Sequence, residues 1–296
     1  ISACLVGSEM CIRDSVNVES DFGKSIEPEE VRKAVKENPD AKAIFAVHCE
    51  TSACTLNPIK EIGEIAEESD KLFIVDAISS LGGTELKMDQ WNIDMCVGYA
   101  SKCLGSLGVL CPIAFNEKVS EIVKKRRDKV KPYFLSLDTW TTTGGRIAYP
   151  FTMPTINVVA LRMAICIALE EGLDNRFQRH QTAAKATREG VRAMGLQILP
   201  KEEDAADSVT AVLVPPGMDI QIRKLLEDEY NVMIAGSLGK YGRGTLLRIG
   251  HMGATASPEY VMPTLYALER VLEKLGQKVP DSEAMKVAAE FLKNRP

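Results

Sequence analysis

The sequence lacks the signatures of several common classes of protein. No apolar run approaches the length of a membrane-spanning helix, which argues against a membrane-embedded protein. Neither G-x-G-x-x-G after a strand nor G-x-x-x-x-G-K-[ST] is present, so dinucleotide and P-loop sites lack their phosphate-binding loops. Basic residues are in the minority: 36 Lys and Arg stand against 41 Asp and Glu, for a net charge of −5. That balance argues against a surface for nucleic acid or anionic lipid.

The eight cysteines form neither a metal-binding nor a disulfide pattern. No C-x-x-C pair occurs, and none of the three histidines falls at zinc-ligand spacing. Cys96, Cys111 and Cys166 stand inside apolar runs, where a free cysteine packs as a small apolar residue. We therefore expect reduced cysteines and a cytoplasmic protein.

Short apolar runs alternate with helical patterns in the first half of the 296 residues. Asn57 as N-cap and Pro58 as the first helical residue predict a helix after the first apolar run. Strands joined by helices indicate an α/β fold with a mostly parallel sheet covered on both faces. The predicted strands are 42–49, 72–76, 94–98 and 108–115.

The second half of the chain is richer in helical patterns. A final long helix is predicted to begin at Ser257-Pro258 and to bend at Pro263. Strands are predicted at 208–215 and 245–249, and further helices at 154–171, 174–194 and 219–230.

The chain begins at Ile1 and its first residues show no periodicity. We expect a non-native or disordered leader at 1–15, a large domain at 16–171 and a small α+β domain at 172–296.

Reactive side chains follow three of the predicted strands. Glu50-Thr51 comes after the first strand, Asp76 ends the second, and Lys102 lies just past the third. Ligands of an open parallel sheet bind at the carboxyl ends of its strands. A lysine for a Schiff base and a carboxylate for the pyridine nitrogen are what pyridoxal phosphate needs. A loop aspartate and a solvated lysine explain the same residues, so the spacing alone leaves both interpretations open.

Four motifs resemble the class V aminotransferases among the fold-type I pyridoxal phosphate enzymes, a family that includes alanine–glyoxylate, serine–pyruvate and pyridoxamine–pyruvate types. They are HCETSACTLNP (48–58), IVDAISSLGGTELKMDQWNID (74–94), ASKCLG (100–105) and LLRIGHMG (246–253). The motifs keep the family's order and spacing from about residue 16 to about residue 275. The resemblance implies a fold-type I architecture and pyridoxal 5'-phosphate as cofactor.

The resemblance also implies roles for individual residues around the cofactor. Lys102 matches the lysine that forms the Schiff base and later moves the substrate proton, and Asp76 matches the carboxylate that faces the pyridine nitrogen. Ile78 matches the apolar residue under the ring, and Thr51 the hydroxyl near the phenolic oxygen. For His48 the resemblance leaves two alternatives, a supporting residue behind the cofactor or a buried structural histidine.

Further matches concern the substrate and a second subunit. Arg248 matches the arginine that binds the substrate α-carboxylate. Tyr149 and Thr152 match positions from which the neighbouring subunit reaches the cofactor phosphate, which implies a homodimer with shared active sites; a turn next to Pro150 is the alternative for these two residues. No nucleic-acid or membrane partner is expected.

The sequence departs from the family pattern in several places. Ser101 replaces the usual Gln or Asn before the lysine, where its hydroxyl could still donate to phosphate, and Cys54 stands where Gly is common. Residues 106–108 replace a Pro-Pro-Gly turn. The family's phosphate loop and ring-stacking aromatic residue lie upstream of the first strand, and we therefore expect an N-terminally truncated chain.

These observations lead to one main functional hypothesis and two alternatives. The main hypothesis is transamination between a small amino acid, alanine or serine, and a 2-oxo acid, glyoxylate or pyruvate. The alternatives are a non-enzymatic remnant with little affinity for the cofactor, and a pyridoxal phosphate lyase or desulfurase on the same scaffold. Cys103 beside Lys102 is poorly placed to serve as a desulfurase nucleophile.

Overall fold

The computed structural model describes residues 15–125, 134–143, 151–238 and 242–293. The helices are α1 Pro28–Glu37, α2 Ile59–Glu68, α3 Glu117–Lys125, α4 Leu137–Thr143, α5 Thr155–Glu171, α6 Leu173–Ala193, α7 Met218–Tyr230, α8 Pro258–Lys274 and α9 Glu283–Leu292. The strands are β1 Ala43–Val47, β2 Cys49–Glu50, β3 Thr55–Leu56, β4 Leu72–Asp76, β5 Met95–Val97, β6 Ile113–Phe115, β7 Gln197–Ile198, β8 Val209–Leu213, β9 Ala235–Gly236 and β10 Leu246–Gly250.

The first sheet has the strand order β1-β4-β5-β6. β1, β4 and β5 run parallel, and β6 is antiparallel to β5. The α/β fold with a mostly parallel sheet is therefore confirmed. Helix α2 covers this sheet with Ile59, Ile62 and Ile65, all buried, because these residues recur on one helical face.

Two predictions in this half are wrong in detail. Asn57 does not cap α2: its Oδ1 accepts from the Ile26 amide (2.9 Å) and its Nδ2 donates to the Val47 carbonyl (2.7 Å). The amide of Asn57 therefore ties β1 to the chain before α1. The predicted strand 108–115 shortens to β6, because Val109 adopts a positive φ of 83° that no strand residue has.

The second sheet has the order β7-β8-β10-β9 and is antiparallel throughout. Its helices α6, α7 and α8 pack with it around a large apolar core that includes Leu226, Leu247 and Leu268. Pro263 lies inside α8, which continues as one helix to Lys274. Helix α8 is not the final helix, because α9 follows and packs against α6 and α8.

A third apolar cluster joins the β2–β3 hairpin to the second sheet. Cys49 and Cys54 from the β2–β3 hairpin pack with Val209, Ala211 and Leu246 from the second sheet. The hairpin also exchanges backbone hydrogen bonds with residues that lead into β8, from Ala206 N to Cys54 O (3.0 Å) and from Leu56 N to Asp204 O (2.8 Å). The hairpin is therefore held against the second sheet. The domain boundary at 171–172 stays a prediction.

Within the described ranges, all six cysteines are free, which agrees with the expected reduced state. No helix in this part of the chain is both long and apolar enough to cross a membrane.

Candidate active site

Asp76 lies at the carboxyl end of β4, the central position between β1 and β5. Its Oδ1 accepts a hydrogen bond from the Ile78 amide (2.8 Å), while Oδ2 has no partner in the described part of the chain. Burial raises the pKa of Asp76, the Ile78 amide opposes this rise, and the charge of Glu50 adds to it. Asp76 is thus a half-buried carboxylate that a positively charged donor would stabilise.

Lys102 lies in the turn that follows β5. The turn is closed by backbone hydrogen bonds from Gly105 N to Lys102 O (2.9 Å) and from Ser106 N to Ala100 O (2.9 Å). Gly105 has a φ of +76°, a conformation that a side chain would strain. Lys102 is partly buried, and its Nζ forms no hydrogen bond or ion pair with any described residue. The turn therefore presents an amine with no carboxylate partner in the described chain.

The Lys102 amine lies near the β2–β3 hairpin. Burial raises the pKa of the Cys49 thiol to about 12, and the positive charge of Lys102 opposes this rise. The same two effects act on the Cys103 thiol: burial raises its pKa to about 12, and the positive charge of Lys102 opposes the rise. Cys49 directly precedes Glu50 and Thr51, so the charge of Lys102 acts on the hairpin that carries these two residues.

Arg248 reaches the same hairpin from the second sheet. It lies on β10, where its Nε donates to the Gly236 carbonyl (2.7 Å) and its Nη1 to the Thr51 carbonyl (2.9 Å). Burial lowers the pKa of this guanidinium, and the charge of Glu50 opposes the change. Nη2 has no hydrogen-bond partner within the described ranges. Arg248 is therefore fixed beside Thr51 with donor capacity left over.

Glu50 is a residue to which the sequence motifs assign no role. Its Oε1 accepts from the Ser52 amide (2.7 Å), and its charge acts on both Asp76 and Arg248. Its position at the end of β2 is visible in the sequence as an acid after a strand. Its charge therefore links the electrostatics of the aspartate of the first sheet with that of the arginine of the second.

The remaining predicted site residues fall into three groups. Ile78 is partly buried in the turn directly after Asp76. Ser101 and Thr152 are exposed, and within the described ranges Thr152 forms no hydrogen bond with Asp76, Lys102 or Arg248. Tyr149 lies outside the described residues.

His48 resembles a structural histidine more than a site residue. Its ring is buried and meets the indole of Trp91 edge-on at 6.3 Å, and burial lowers its pKa to about 4. Its Nδ1 has no hydrogen-bond partner in the described chain. Of the two alternatives left by the sequence, the indole contact favours the structural one.

The hairpin holds a cysteine, Cys54, at a position where glycine is common in the family. It is fully buried and has a φ of +58°, in the left-handed region that favours glycine. The backbone therefore keeps the conformation that a glycine would adopt there. The cost of a side chain in that conformation is offset by packing against Leu246 and its neighbours.

Two parallel strand ends, a free amine and a half-buried guanidinium thus surround one hairpin, and the comparisons with known proteins agree with this arrangement. The model of the family "Aminotransferase class-V" matches residues 9–252. The chain belongs to this family, which confirms both the expected family and the fold-type I architecture, and it identifies the protein as an aminotransferase by class.

Individual relatives cover nearly the whole chain. An uncharacterized aminotransferase of Methanocaldococcus jannaschii is 39% identical over 94% of this chain and 72% of its own length. The crystal structure of ureidoglycine–glyoxylate aminotransferase from Bacillus subtilis superposes with a TM-score of 0.92 at 31% identity, over 97% of this chain and 74% of that chain. Pyridoxamine–pyruvate aminotransferase from Mesorhizobium loti gives a TM-score of 0.88 at 30% identity, over 93% and 71% of the two chains.

Proposed function

We propose that this protein binds pyridoxal 5'-phosphate and transfers an amino group from a small amino acid, alanine or serine, to a 2-oxo acid, glyoxylate or pyruvate. The observation that carries the proposal is the convergence of Lys102, Asp76 and Arg248 on the β2–β3 hairpin. The relatives support the substrate class, because their names include glyoxylate and pyruvate as partners.

The described residues offer polar groups of the kinds that this cofactor requires. Lys102 offers an amine without a partner, and Asp76 offers a carboxylate oxygen without a partner. The hydroxyls of Ser52 and Ser106, on the hairpin and on the lysine turn, are buried with no hydrogen bond in the described chain. Buried polar atoms without partners are unusual in folded proteins, and a bound polar ligand would supply the missing partners.

Pyridoxal phosphate, when bound, supplies an electron-accepting ring that stabilises negative charge at the substrate Cα. Asp76 would hold the ring nitrogen in its protonated form through a charge-assisted hydrogen bond. Thr51 and Ile78 would contact the ring, while Ser101, with Tyr149 and Thr152 of a second subunit, would hold the phosphate. These assignments rest on the match to the family motifs.

Lys102 and Arg248 would act on the substrate. The amine of Lys102 would attach the cofactor, and once released it would move the proton at the substrate Cα, a role that suits a neutral amine. Arg248 would donate two hydrogen bonds to the substrate carboxylate and so orient the Cα–H bond. Its fixed position beside Thr51 supports this role, since little freedom remains to be lost on binding.

We also propose a homodimer, which is supported by the surface of α5. Most residues of this helix are apolar, yet within the described chain only Ala164 and Ala168 are buried. An apolar face of this kind is typical of a helix that packs against a partner. The large exposed apolar residues of α5 are Ile156, Val158, Val159, Met163, Ile165, Ile167 and Leu169.

The free cysteines support the proposal of a cytoplasmic protein.

The desulfurase alternative receives no support from Cys103. This thiol is fully buried, it donates to the Ser79 carbonyl (3.3 Å), and burial raises its pKa to about 12. A nucleophilic cysteine requires an accessible thiolate.

The test of the proposed function is transamination by the purified chain supplied with pyridoxal phosphate. L-alanine or L-serine is mixed with glyoxylate or pyruvate, and the new amino acid and 2-oxo acid are quantified. We expect turnover by the wild type and a loss of at least about 10³-fold in Lys102→Ala, because the amine has no substitute. Lys87→Ala is the control, since Lys87 pairs with Glu85 on the surface. Equal activity in Lys102→Ala and wild type would refute the role of Lys102, and no activity in any of them would favour the non-enzymatic remnant.

A further inference from the structure

A group of charged side chains lies at the junction of α5 and α6, outside the residues that any motif assigned. Glu171 ends α5, Gly172 turns the chain with a φ of +81°, and α6 begins at Leu173. Arg176, Arg179 and His180 follow with spacings of three and four residues, which place them on one face of α6. We refer to Glu171, Arg176, Arg179 and His180 as the loop clamp. Arg176 and His180 are buried, with exposures of 4% and 0%.

Arg176 joins the loops that follow β4 and β5. Its Nε donates to the Gly82 carbonyl (2.8 Å), in the loop that begins at Asp76. Its Nη2 donates to the Cys103 carbonyl (2.7 Å), which belongs to the residue next to Lys102. A single guanidinium therefore links the backbone beside the proposed cofactor lysine to the loop that carries the proposed ring-nitrogen carboxylate.

Arg179 and His180 hold a third loop, the one that follows Arg248. Arg179 Nη1 donates to the Gly253 carbonyl (2.8 Å) and to the Ala256 carbonyl (2.9 Å). His180 Nδ1 lies 2.8 Å from the Arg176 carbonyl and must donate to it, so Nε2 accepts from the Gly253 amide (3.0 Å). The backbone of this loop also approaches the lysine turn closely: a Cβ on Gly253 would lie 3.0 Å from Gly105 Cα.

Glu171 balances the charge of both arginines. Its Oε2 accepts from Arg176 Nη1 (2.8 Å), and its two oxygens accept from Arg179 Nε (2.5 Å) and Nη2 (3.1 Å). Burial alone would raise the pKa of Glu171, but the hydrogen bonds from Arg179 and Arg176 lower it overall. The carboxylate is therefore ionised at neutral pH, and the buried Arg176 and the partly buried Arg179 each meet both a counter-charge and carbonyl acceptors.

We propose that the loop clamp is a positioning device for the active site: it fixes the Lys102 turn, the loop after Asp76 and the loop after Arg248 relative to one another. The expected effect of the loop clamp on catalysis rests on the proposed function, whereas its effect on the positions of the loops does not. The three loops come from two different sheets, and no strand that the structure describes pairs the sheet before Lys102 with the sheet that carries Arg248. A displacement of 1 Å at a reacting group costs about 10²-fold in rate, so three loops fixed by one helix face have a direct kinetic effect.

The test compares Arg176→Met with Arg188→Met in the full chain. Arg188 is an internal control on the same helix: it is 5% exposed and binds Glu202 and the Ala206 carbonyl, and in the described chain it forms no hydrogen bond with any of the three loops. Both variants lose a buried arginine, so both are expected to lower the midpoint of thermal unfolding. Only Arg176→Met should loosen the active-site loops.

The first readout is hydrogen–deuterium exchange of the protein without cofactor. We expect Arg176→Met to raise exchange at least about tenfold in peptides that cover 77–84 and 101–106, because these amides lose the packing that the guanidinium enforces. Arg188→Met should leave exchange in these peptides as in the wild type. Unchanged exchange in Arg176→Met, or an equal rise in both variants, overturns the proposal.

The second readout is the kinetics of the protein supplied with pyridoxal phosphate. We expect Arg176→Met to lower kcat about 10²-fold with KM within about threefold of wild type, and Arg179→Met to raise KM because it frees the loop after Arg248. Equal kcat in Arg176→Met and Arg188→Met overturns the proposal.

If Arg176→Met does not fold, Arg176→Lys is the second variant. It keeps the charge, loses one of the two carbonyl contacts and should show the same changes to a smaller extent. A wild type without transamination would refute the proposed function, while hydrogen exchange would still decide the clamp.

Discussion

Arg248 is held by the backbone of two different segments before any substrate is present. Its contacts to the Gly236 and Thr51 carbonyls fix the guanidinium plane and leave Nη2 as a donor. A lysine at this position would be a single flexible point charge without the paired donors that a carboxylate prefers. Binding of a substrate carboxylate is therefore expected to depend on the guanidinium group and not only on its charge.

We expect Arg248→Lys to raise KM for both the amino acid and the 2-oxo acid about 10²-fold, with a smaller change in kcat. The reason is the loss of a two-donor contact to a carboxylate, which is present in the substrate before and after the chemical step. Steady-state kinetics with varied concentrations of each substrate measures this change. Arg32→Lys is the control, because Arg32 forms ion pairs with Glu29 and Glu68 on the surface. An unchanged KM in Arg248→Lys would remove the arginine from this role.

The sequence allowed parts of the site to be predicted and not others, for physical reasons that differ by residue. Asp76 and the Lys102 turn follow parallel strands, and the carboxyl ends of such strands meet at one edge. Arg248 comes from an antiparallel sheet, and only the docking of the hairpin brings it to Thr51. Glu50 carries no local signal of its electrostatic role, since its partners are distant in sequence.

Helices α2 and α9 show what a periodic pattern does and does not predict. The isoleucines of α2 predict its buried face correctly. Asn57 looks like an N-cap by type, but long-range hydrogen bonds to Ile26 and Val47 use its side chain. Helix α9 buries Ala284, Ala288 and Leu292, a narrow face of mostly small residues for which no helix is predicted.

Helix α2 packs so closely that one of its residues has room for no side chain. A Cβ on Gly63 would lie 1.9 Å from the Trp91 carbonyl oxygen, so helix or loop must shift. We expect Gly63→Ala to lower the free energy of unfolding by about 1–3 kcal/mol, because overpacking outweighs the gain in helix propensity. Urea denaturation followed by circular dichroism measures the change. Glu64→Ala, at the neighbouring exposed position, should alter stability by less than about 0.5 kcal/mol, and a similarly small effect of Gly63→Ala would contradict the close contact.

Helix α5 carries the prediction about assembly. If its exposed apolar face covers a second copy, the chain should elute with a mass of twice 32.4 kDa in size-exclusion chromatography with light scattering. Ile167→Lys places a charge in that face and should shift the population towards the monomer. Glu170→Gln changes a neighbouring exposed residue without adding a charge to the face and should keep the wild-type mass. A wild-type monomer at high protein concentration would refute the homodimer.

At the scale of the whole molecule, the β2–β3 hairpin meets the second sheet through a mixed cluster that local patterns do not indicate. The sequence predicts an α/β half and a more helical α+β half; the structure confirms a mostly parallel sheet and has an antiparallel sheet formed by β7, β8, β9 and β10. The cluster that joins the hairpin to this sheet includes Cys49, Cys54 and Ala211, and the two cysteines are far from Ala211 in the sequence. Its composition follows from tertiary packing and not from any periodicity, and for this reason it could not be predicted.

The three histidines give the whole molecule a defined dependence on pH. Burial lowers the pKa of His48 and His180 to about 4 and that of His251 to about 3. The unfolded chain binds a proton at each histidine near pH 6.5 and the folded chain does not, so stability is full above that pH and decreases as the pH falls towards 4. Asp207 acts in the opposite direction, because burial raises its pKa to about 6 and the folded chain gains its proton first.

We therefore expect the free energy of unfolding to be lower at pH 5 than at pH 7.5 by about 4 kcal/mol, since three histidines outweigh one aspartate. Urea denaturation at the two pH values measures the difference. Asp207→Asn removes the opposing contribution and should make the decrease larger. A chain that is equally stable at both pH values would contradict the burial of the histidines as neutral rings.

Lys102 is the residue that we propose attaches pyridoxal phosphate. This attachment is tested by adding the cofactor to the purified chain, reducing with borohydride, digesting, and identifying the modified lysine by mass spectrometry. We expect one modified peptide, the one that contains Lys102, and we expect this peptide to be protected from modification when a small amino acid is added before reduction. Attachment at another lysine, or no attachment at Lys102 at saturating cofactor, would contradict it.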